Sequence, residues 1–473
     1  MNTLLFAAAA GHHGHQVSTG VTVLFACLLV GMIALLALEE KIHAKKSVIT
    51  GGFAVVCLFL GAVCGILPFG QIVNVFGEKL SMPVYIPAID WGVIAIILGS
   101  SLFVDVTSRS GLFTWIAIKL TKSSGGDPLK LLIYYGLMTV VFSAVLNNVT
   151  AMIIVGSLTG VSLKKLKRNE LLLGFLLTEG LLTNIGGLLT LISSVPNIIV
   201  GKAANISFVR FFLVASPYVV IATILTIWLG AKFFKIKGLT TDEEKEEAAE
   251  IVKGFDENDG IESQGFFWFG TAMTGLFIIT LASASFLPFI KDLGMGYVAM
   301  SFGLIMLIRF KATADEFYES IDWDLLGFFA SLFVVINVME HAQVLTMIGK
   351  VLQQVINLGP TMGSGLILVA SAGFSSVTDN IPLAAMLAKI LSQLGTTAAS
   401  ATQTESGLWW SVVFGANLGG NITPIGSAST LVAVTIIHKY KLALSFSGFI
   451  KKALPFAAIQ IAIAVVYVLL FLR

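Results

Sequence analysis

The sequence predicts an all-α integral membrane fold with about ten full spans, two re-entrant hairpins and two broken helices, its halves related as an inverted repeat. Three observations predict it. The 473 residues are 56% hydrophobic and 12% charged, where soluble domains carry roughly 25% charged residues. Two stretches apolar enough to cross a bilayer are interrupted midway by glycine, asparagine and threonine. The same motifs then recur in order, 232 or 233 residues apart.

The clearest interruption is Gly415–Ser427, inside an apolar run from Leu408 to Ile437. That run exceeds the ~20 residues of one span. Pro424 removes a backbone donor, and Gly415, Gly419, Gly420 and Gly426 weaken the helix. Broken backbone at membrane depth survives only where it lines a cavity or is buried in protein. Asn184–Ser194 matches this stretch. Asn184 aligns with Asn417, Gly186 with Gly419, Gly187 with Gly420, Thr190 with Thr423 and Ser194 with Ser427, each at an offset of 233. Val141–Asn148 aligns with Gly373–Asn380, and Ile89–Trp91 with Ile321–Trp323, both at 232. Three matches in order indicate duplication.

In chain order, Val21–Leu38 and Val48–Leu67 read as spans separated by the charged Glu39–Lys46. Ala88–Val106 is the third, with Asp105 near its end. Leu112–Thr121 is short and amphipathic, a helix lying at the interface. Leu129–Leu163 is interrupted by Asn147, Asn148, Val149 and Thr150. Lys130 stands at its start and Lys164, Lys165, Lys167 and Arg168 follow it, so both ends belong on one side. That makes it a re-entrant hairpin with the asparagines at its tip, in preference to one long tilted span. Glu170–Val200 is the first broken span and Phe208–Phe233 the fifth. Lys235–Ser263 is a charged, partly helical connector to which no chemistry is assigned.

The second half repeats the plan. Phe266–Phe289, Met295–Ile308 and Leu325–Val338 are spans, with Glu340 and His341 as a polar end. Leu345–Ile356 is interfacial. Thr361–Leu394 is the second hairpin, its tip at Thr378, Asp379, Asn380, Ile381 and Pro382. The second broken span and Ala453–Leu472 complete the chain. The expected domains are an extramembrane segment at 1–20, a first repeat at 21–234, a cytoplasmic linker at 235–264 and a second repeat at 265–473. With Glu39–Lys46 cytoplasmic, all but seven of the 29 Lys and Arg fall inside, as the positive-inside rule asks. Both termini then lie outside, and the expected location is a prokaryotic inner membrane.

Two tips and two breaks related by an inverted repeat should meet near the midplane, the arrangement of a secondary transporter. The expected ion- or substrate-binding set is Asn147, Asn148, Thr150, Asn184, Gly186, Gly187, Thr190, Thr378, Asp379, Asn380, Asn417, Gly419, Gly420, Asn421 and Thr423. Carbonyl, Asn and Thr oxygens suit hard cations. A coupling sodium ion is expected at Asn148, Gly187, Asp379, Asn380 and Gly420. Amides freed at a half-helix start suit an anion. Asp379 stands out, because a carboxylate at that depth marks an ion or proton path; the alternative is a structural carboxylate bonded to its own turn. Asp105 and Glu179 are weaker candidates. Gly186, Gly187, Gly419 and Gly420 would also suit plain close helix packing.

The net charge of +2 gives no reason to expect a nucleic-acid partner. Cys27, Cys57 and Cys64 lack paired metal spacing and read as packing residues. Met1–Ala10 lacks the positive start of a signal peptide. His12, His13 and His15 could hold a metal weakly, but read first as a solvated terminus. No cofactor and no catalytic residue is expected. A membrane enzyme finds no nucleophile motif. An ion channel remains an alternative, since filters also use re-entrant loops.

At these residues the chain resembles the ion transporter superfamily, and within it the arsenite-permease, melanosomal P-protein and sodium–proton antiporter branch with its citrate-transporter-like domain. The resemblance rests on Glu39–Gly52, on Leu146–Met152 and Asp379–Pro382 at the tips, and on Asn184–Asn197 and Gly419–Ser427 at the breaks. It implies a homodimer that moves a small inorganic ion by an elevator motion on a sodium or proton gradient, as sodium–proton antiport or arsenite-like oxyanion export. The distantly related sodium-coupled dicarboxylate and citrate carriers have a Ser-Asn-Thr motif at each tip. Here Asn147-Asn148-Val149 and Asp379-Asn380-Ile381 stand at those positions. A carboxylate carrier is the alternative implied.

Overall fold

A computed structural model describes residues 17–73, 76–378, 380–395 and 406–472. The histidine run and Asp379 therefore lie outside the described residues. The chain opens with α1 (Thr19–Ala37), α2 (Glu39–Ile42) and α3 (Lys46–Val63). A two-stranded antiparallel ribbon follows, β1 (Gln71–Val73) and β2 (Lys79–Ser81), then α4 (Tyr85–Ala88). Next come α5 (Trp91–Ser108), α6 (Leu112–Ser123) and a packed helix pair, α7 (Pro128–Val145) and α8 (Asn148–Lys165). α9 (Leu172–Gly186) and α10 (Val195–Ala203) are the pieces of one broken segment, followed by α11 (Phe208–Phe233) and the connector helix α12 (Asp242–Lys253). The second half runs α13 (Gln264–Ser283), α14 (Ile290–Leu307), α15 (Ala314–Ser320), α16 (Trp323–His341) and α17 (Val344–Ile356). A second helix pair, α18 (Pro360–Ser375) and α19 (Asn380–Leu394), precedes the second broken segment, α20 (Gly407–Gly419) and α21 (Ala428–Lys439). α22 (Phe446–Phe471) closes the chain.

Nine helices among the described residues are long and apolar enough to cross a membrane. Eight are the unbroken spans expected from sequence, and the ninth, α7, is one arm of the first expected hairpin. The chain is an all-α membrane protein. Its residues fall into two compact units, one formed by the described residues up to Ile89 with Gly327–Lys350, the other by Asp90–Leu326 with the described residues from Val351 onward.

Several boundaries differ from the hydropathy reading because caps, and not hydropathy, start a helix. The Asp90 carboxylate accepts from the amides of Gly92 and Val93, so α5 starts at Trp91 rather than Ala88. Asp127 caps α7 with Pro128 at its first turn. Ser445 caps α22, which takes in Lys451 and Lys452 and begins seven residues before Ala453. The span expected at Met295–Ile308 starts at Ile290 and bends at Gly294, whose φ of 79° favours glycine. Glu340 and His341 form the last turn of α16 instead of following it.

In the second unit, glycines let helix backbones touch. A Cβ at Gly99 on α5 would collide with the backbone of Ala299 and Met300 on α14, the close approach that small residues permit between membrane helices. The charged connector is docked by side-chain contacts. Thr241 and Glu244 form a capping box for α12. Asp127 accepts from the Leu239 amide at 2.9 Å. Arg168 pairs with Glu244 at 3.7 Å, and Glu257 binds both Lys122 and Lys119.

The Lys122 ammonium, then the backbone amide at Glu257 and Lys119, lower the Glu257 pKa from 4.5 to about 2. A depressed folded value means that this anchor is present above the ordinary carboxylate range and lost as pH falls toward 2. Glu257→Gln is expected to speed limited proteolysis of the 235–263 connector at pH 7. The gap between variant and wild type should close as pH drops from about 4.5 toward 2, followed by cleavage rate or by the emission of Trp115, on which Lys119 stacks.

Candidate functional site

The second unit holds a half-open cavity of about 380 Å³. Four helices start on its wall: α8 at Asn147–Thr150, α10 at Ser194–Pro196, α19 at Asn380 and Ile381, and α21 at Ser427–Ser429. Each leaves backbone N–H groups unsatisfied by its own helix. Amides and hydroxyls dominate the polar lining, with Asn184, Ser193, Ser100 and Ser101 adding to those at the helix starts. Two carboxylates, Asp105 and Asp322, also reach it. Asp105 accepts from Ser320 at 2.8 Å and Asp322 caps the Leu325 amide at 2.9 Å. No Lys or Arg is among the described residues that line it.

The side chains behind the wall hold one another across the two breaks. Asn184 donates to Asn421 Oδ1 at 2.8 Å and to Ser427 Oγ at 2.9 Å. Asn417 accepts from Ser194 Oγ at 2.7 Å and donates to Asn197 Oδ1 at 2.9 Å. Asn184 with Ser427 and Asn417 with Ser194 are the same pair with the halves exchanged. Asn421 donates onward to Gln460 Oε1 at 2.8 Å, and Gln460 donates to Thr226 at 2.9 Å.

Contacts within each half also recur. Ser143 donates to the Thr183 carbonyl at 2.6 Å, and Ser375 to the Ala416 carbonyl at 2.5 Å. Thr190 donates to the Ala144 carbonyl and Thr423 to that of Ser376. A Cβ at Gly186 would meet the Val140 carbonyl, and one at Gly419 the Ala372 carbonyl.

Of the expected site residues, the cavity brings together Asn147, Asn148, Thr150, Asn184 and Asn380. Asn148 and Asn380, from the two different tips, share its wall. Asn148 Oδ1 accepts from Ser143 at 2.6 Å, and its Nδ2 faces Asn184 Oδ1 at 3.4 Å. Gly187 packs behind Asn148. Its carbonyl already accepts from Ser193 at 2.6 Å and from Asn197 at 2.7 Å. Asn417, Asn421, Thr190 and Thr423 are tied to protein partners behind the wall. Gly186 and Gly419 sit at helix contacts. Gly420 packs against Ser427, and Thr378 bonds the Phe374 carbonyl in the last turn of α18.

The reading from sequence missed Ser193, Ser194, Ser427 and Ser429 as lining and Asn197 and Gln460 as supports. Ser194 and Ser427 carried a usable signal, because they occupy matched positions of the repeat, each at the N-cap position of the second piece of its own broken helix.

Two broken segments and two helix-pair tips opening on one cavity that carries amide and hydroxyl groups among apolar side chains, in an all-α membrane chain, define a membrane transporter. The chain belongs to the citrate transporter (CitMHS) family, whose model matches residues 33–415. An uncharacterized transporter of Mycobacterium tuberculosis is 29% identical over 379 residues, covering 80% of this chain and 86% of the relative. The human P protein is 24% identical over 519 residues, covering 92% of this chain and 60% of that protein. Among solved structures, the Alcanivorax borkumensis YdaH transporter superposes with a TM-score of 0.60 at 15% identity, covering 90% of this chain and 98% of that one. Neisseria gonorrhoeae MtrF gives 0.52, also at 15% identity, covering 91% and 95%.

A methyl at Gly187 would lie 2.6 Å from both Nδ2 and Oδ1 of Asn148. Overpacking of this kind costs about 1–3 kcal/mol. Gly187→Ala should lower transport at least tenfold, while Gly373→Ala, with open space around it, leaves flux near wild type. Asn421→Ala strands Gln460 and should cost about 1–3 kcal/mol of stability. Thr378→Ala should cost clearly less in the same detergent unfolding assay.

Proposed function

We propose that the protein is a secondary active transporter of a small inorganic oxyanion, driven by a sodium or proton gradient. One observation carries this reading: four helix N-termini meet at a cavity whose described lining has amides and hydroxyls but no Lys or Arg. Each N-terminus contributes roughly half a positive charge, so four supply about two charges' worth of attraction without a cationic side chain, which offsets the carboxylates of Asp105 and Asp322 on the same wall. Such ends are ready anion sites. Arsenite, mostly protonated As(OH)3 at neutral pH, would bind through hydroxyls that Asn and Ser side chains can match, and the helix starts would add attraction for its ionised form. Citrate, with three carboxylates, would need cations beside it, and co-bound sodium is the source available to it.

The contacts repeated at offsets of 232 and 233 support two copies of one unit. The excess of Lys and Arg on one side supports their inverted insertion, with α7–α8 and α18–α19 as re-entrant hairpins. The whole cavity lies within one compact unit, which suits an elevator in which substrate and site cross together. A homodimer in an inner membrane, both termini outside, completes the proposal. Sodium–proton antiport is the second reading, favoured by Asp105 and Asp322 on the wall.

Purified protein in proteoliposomes would be tested with arsenite, citrate and sodium against imposed gradients. Saturable arsenite movement that responds to a sodium or proton gradient is expected, with at least a tenfold drop in Asn148→Ala. Citrate uptake with arsenite static would reassign the substrate to a carboxylate. Sodium-for-proton exchange with neither solute moving would establish the antiport instead.

A further inference from the structure

Glu179 lies on α9, five residues before Asn184, or about 7.5 Å along the axis from the cavity wall. Its side chain is completely buried. Oε1 accepts from Thr159 Oγ1 on α8 at 2.6 Å. Oε2 has no partner, one of three such buried side-chain atoms among the described residues. Around it α8, α9 and α21 pack through an apolar cluster that includes Met152, Leu176, Leu177 and Leu181. A bare carboxylate oxygen in such a place is costly, and acids held at membrane depth commonly mark proton relays.

The charged groups of the surrounding helices do not offset it. Lys130 on α7, Lys164 and Lys165 on α8, Arg210 and Lys232 on α11, His438 and Lys439 on α21 and Lys451 on α22 are exposed near helix ends, and Lys452 is half-buried beside them. Described α20 carries no titratable group. Tyr218 on α11 donates to the Gln460 carbonyl. Tyr135 on α7 is within electrostatic reach of Glu179. Its hydroxyl also belongs to a polar seam. It contacts Ser162 at 2.8 Å, one turn along α8 from Thr159, and Thr121 at 2.5 Å on α6. Thr121 adjoins Lys122, which binds the connector's Glu257.

We propose that Glu179 is a proton-binding site beside the transport cavity, with the Thr121–Tyr135–Ser162 seam leading from the basic end of α8 to within one helical turn of Thr159. A proton taken from solvent binds at Oε2 and returns to solvent. Its partner Thr159 sits on the arm whose start, Asn148, lines the cavity, so occupancy at Glu179 is coupled to the tip through α8. The proton site stands on this geometry alone. Its use in driving transport rests on the function proposed above.

Infrared titration of the full chain in lipid tests the site without any substrate. Wild type should show a carboxylic-acid carbonyl band that changes with pH. Glu179→Gln, which keeps an acceptor for Thr159, should lose it. Thr159→Val should move the band without abolishing it, and Asp105→Asn should leave it in place. A band that does not respond to pH, or one that persists unchanged in Glu179→Gln, overturns the proposal. The flux arm uses arsenite and sodium as probes. Glu179→Gln should keep flux driven by a sodium gradient and lose its response to a proton gradient; a response equal to wild type sinks the coupling role. If neither probe moves in wild type, the function proposed above fails while the infrared titration still decides the site.

Discussion

Everything in the cavity-bearing unit depends on one constraint: backbone opened at membrane depth must find partners inside the protein. The segments 187–194 and 420–427 leave their helices, and their polar groups cannot turn to water. The sequence meets this with side chains placed a few residues downstream. Ser193 and Asn197 cover the Gly187 and Thr190 carbonyls. Thr430 reaches the Gly420 and Pro424 carbonyls. Asn184 and Asn417 then bind the serine at the N-cap position of the other half's second piece. Each break covers its own carbonyls, and these side-chain bonds tie the two halves together.

That cross-bracing decides what faces the cavity. Because the freed carbonyls of the first break are occupied by Ser193 and Asn197, it is the starts of α10 and α21 that turn toward open space. The two tips do likewise, since Asn147 caps Thr150 at 2.7 Å and begins α8 at the wall. Helix starts carry partial positive charge, which is set against the two carboxylates, Asp105 and Asp322, on the same wall. Asn148 mediates between wall and support. Ser143 fixes its carbonyl oxygen and leaves the amide directed at Asn184, whose own oxygen is shared with Ser429.

Much of this was legible from residue order. Hydropathy located every unbroken span, and matched Asn, Gly, Thr and Ser at a fixed offset located both breaks. What hydropathy could not give were features set by local donors or by packing: the start of α5 at an Asp cap, the extra turns of α22 under two lysines, and the β1–β2 ribbon. Residue type also overstated function at several places. Gly186 and Gly419 let a carbonyl of the preceding helix pair approach, and Thr190 and Thr423 close the loop onto Ala144 and Ser376. Polar residues in a broken helix first satisfy the break, and the remainder are free to meet a ligand. Gln460 is the converse. It lies inside the apolar α22 with no motif around it, and only the fold shows that it supports Asn421.

The distribution of charge follows from the same constraint. A cationic side chain on the wall would bind an anion strongly, but it would need its own compensation whenever the cavity stood empty, and a carrier must also let go. Helix starts impose neither demand to the same degree, because their partial charge is fixed in the backbone and is partly satisfied where Asn147 and Ser427 cap α8 and α21. A transported particle therefore meets many weak donors rather than one strong cation, a condition that lets a site fill and empty repeatedly. Full charges stand where water is near, as in the Arg168, Lys119 and Lys122 pairs at the connector. Glu179 departs from that pattern. It is a whole carboxylate inside the apolar packing of three helices, one oxygen bound and the other bare, and a proton is the one counter-charge small enough to join it there without opening the core.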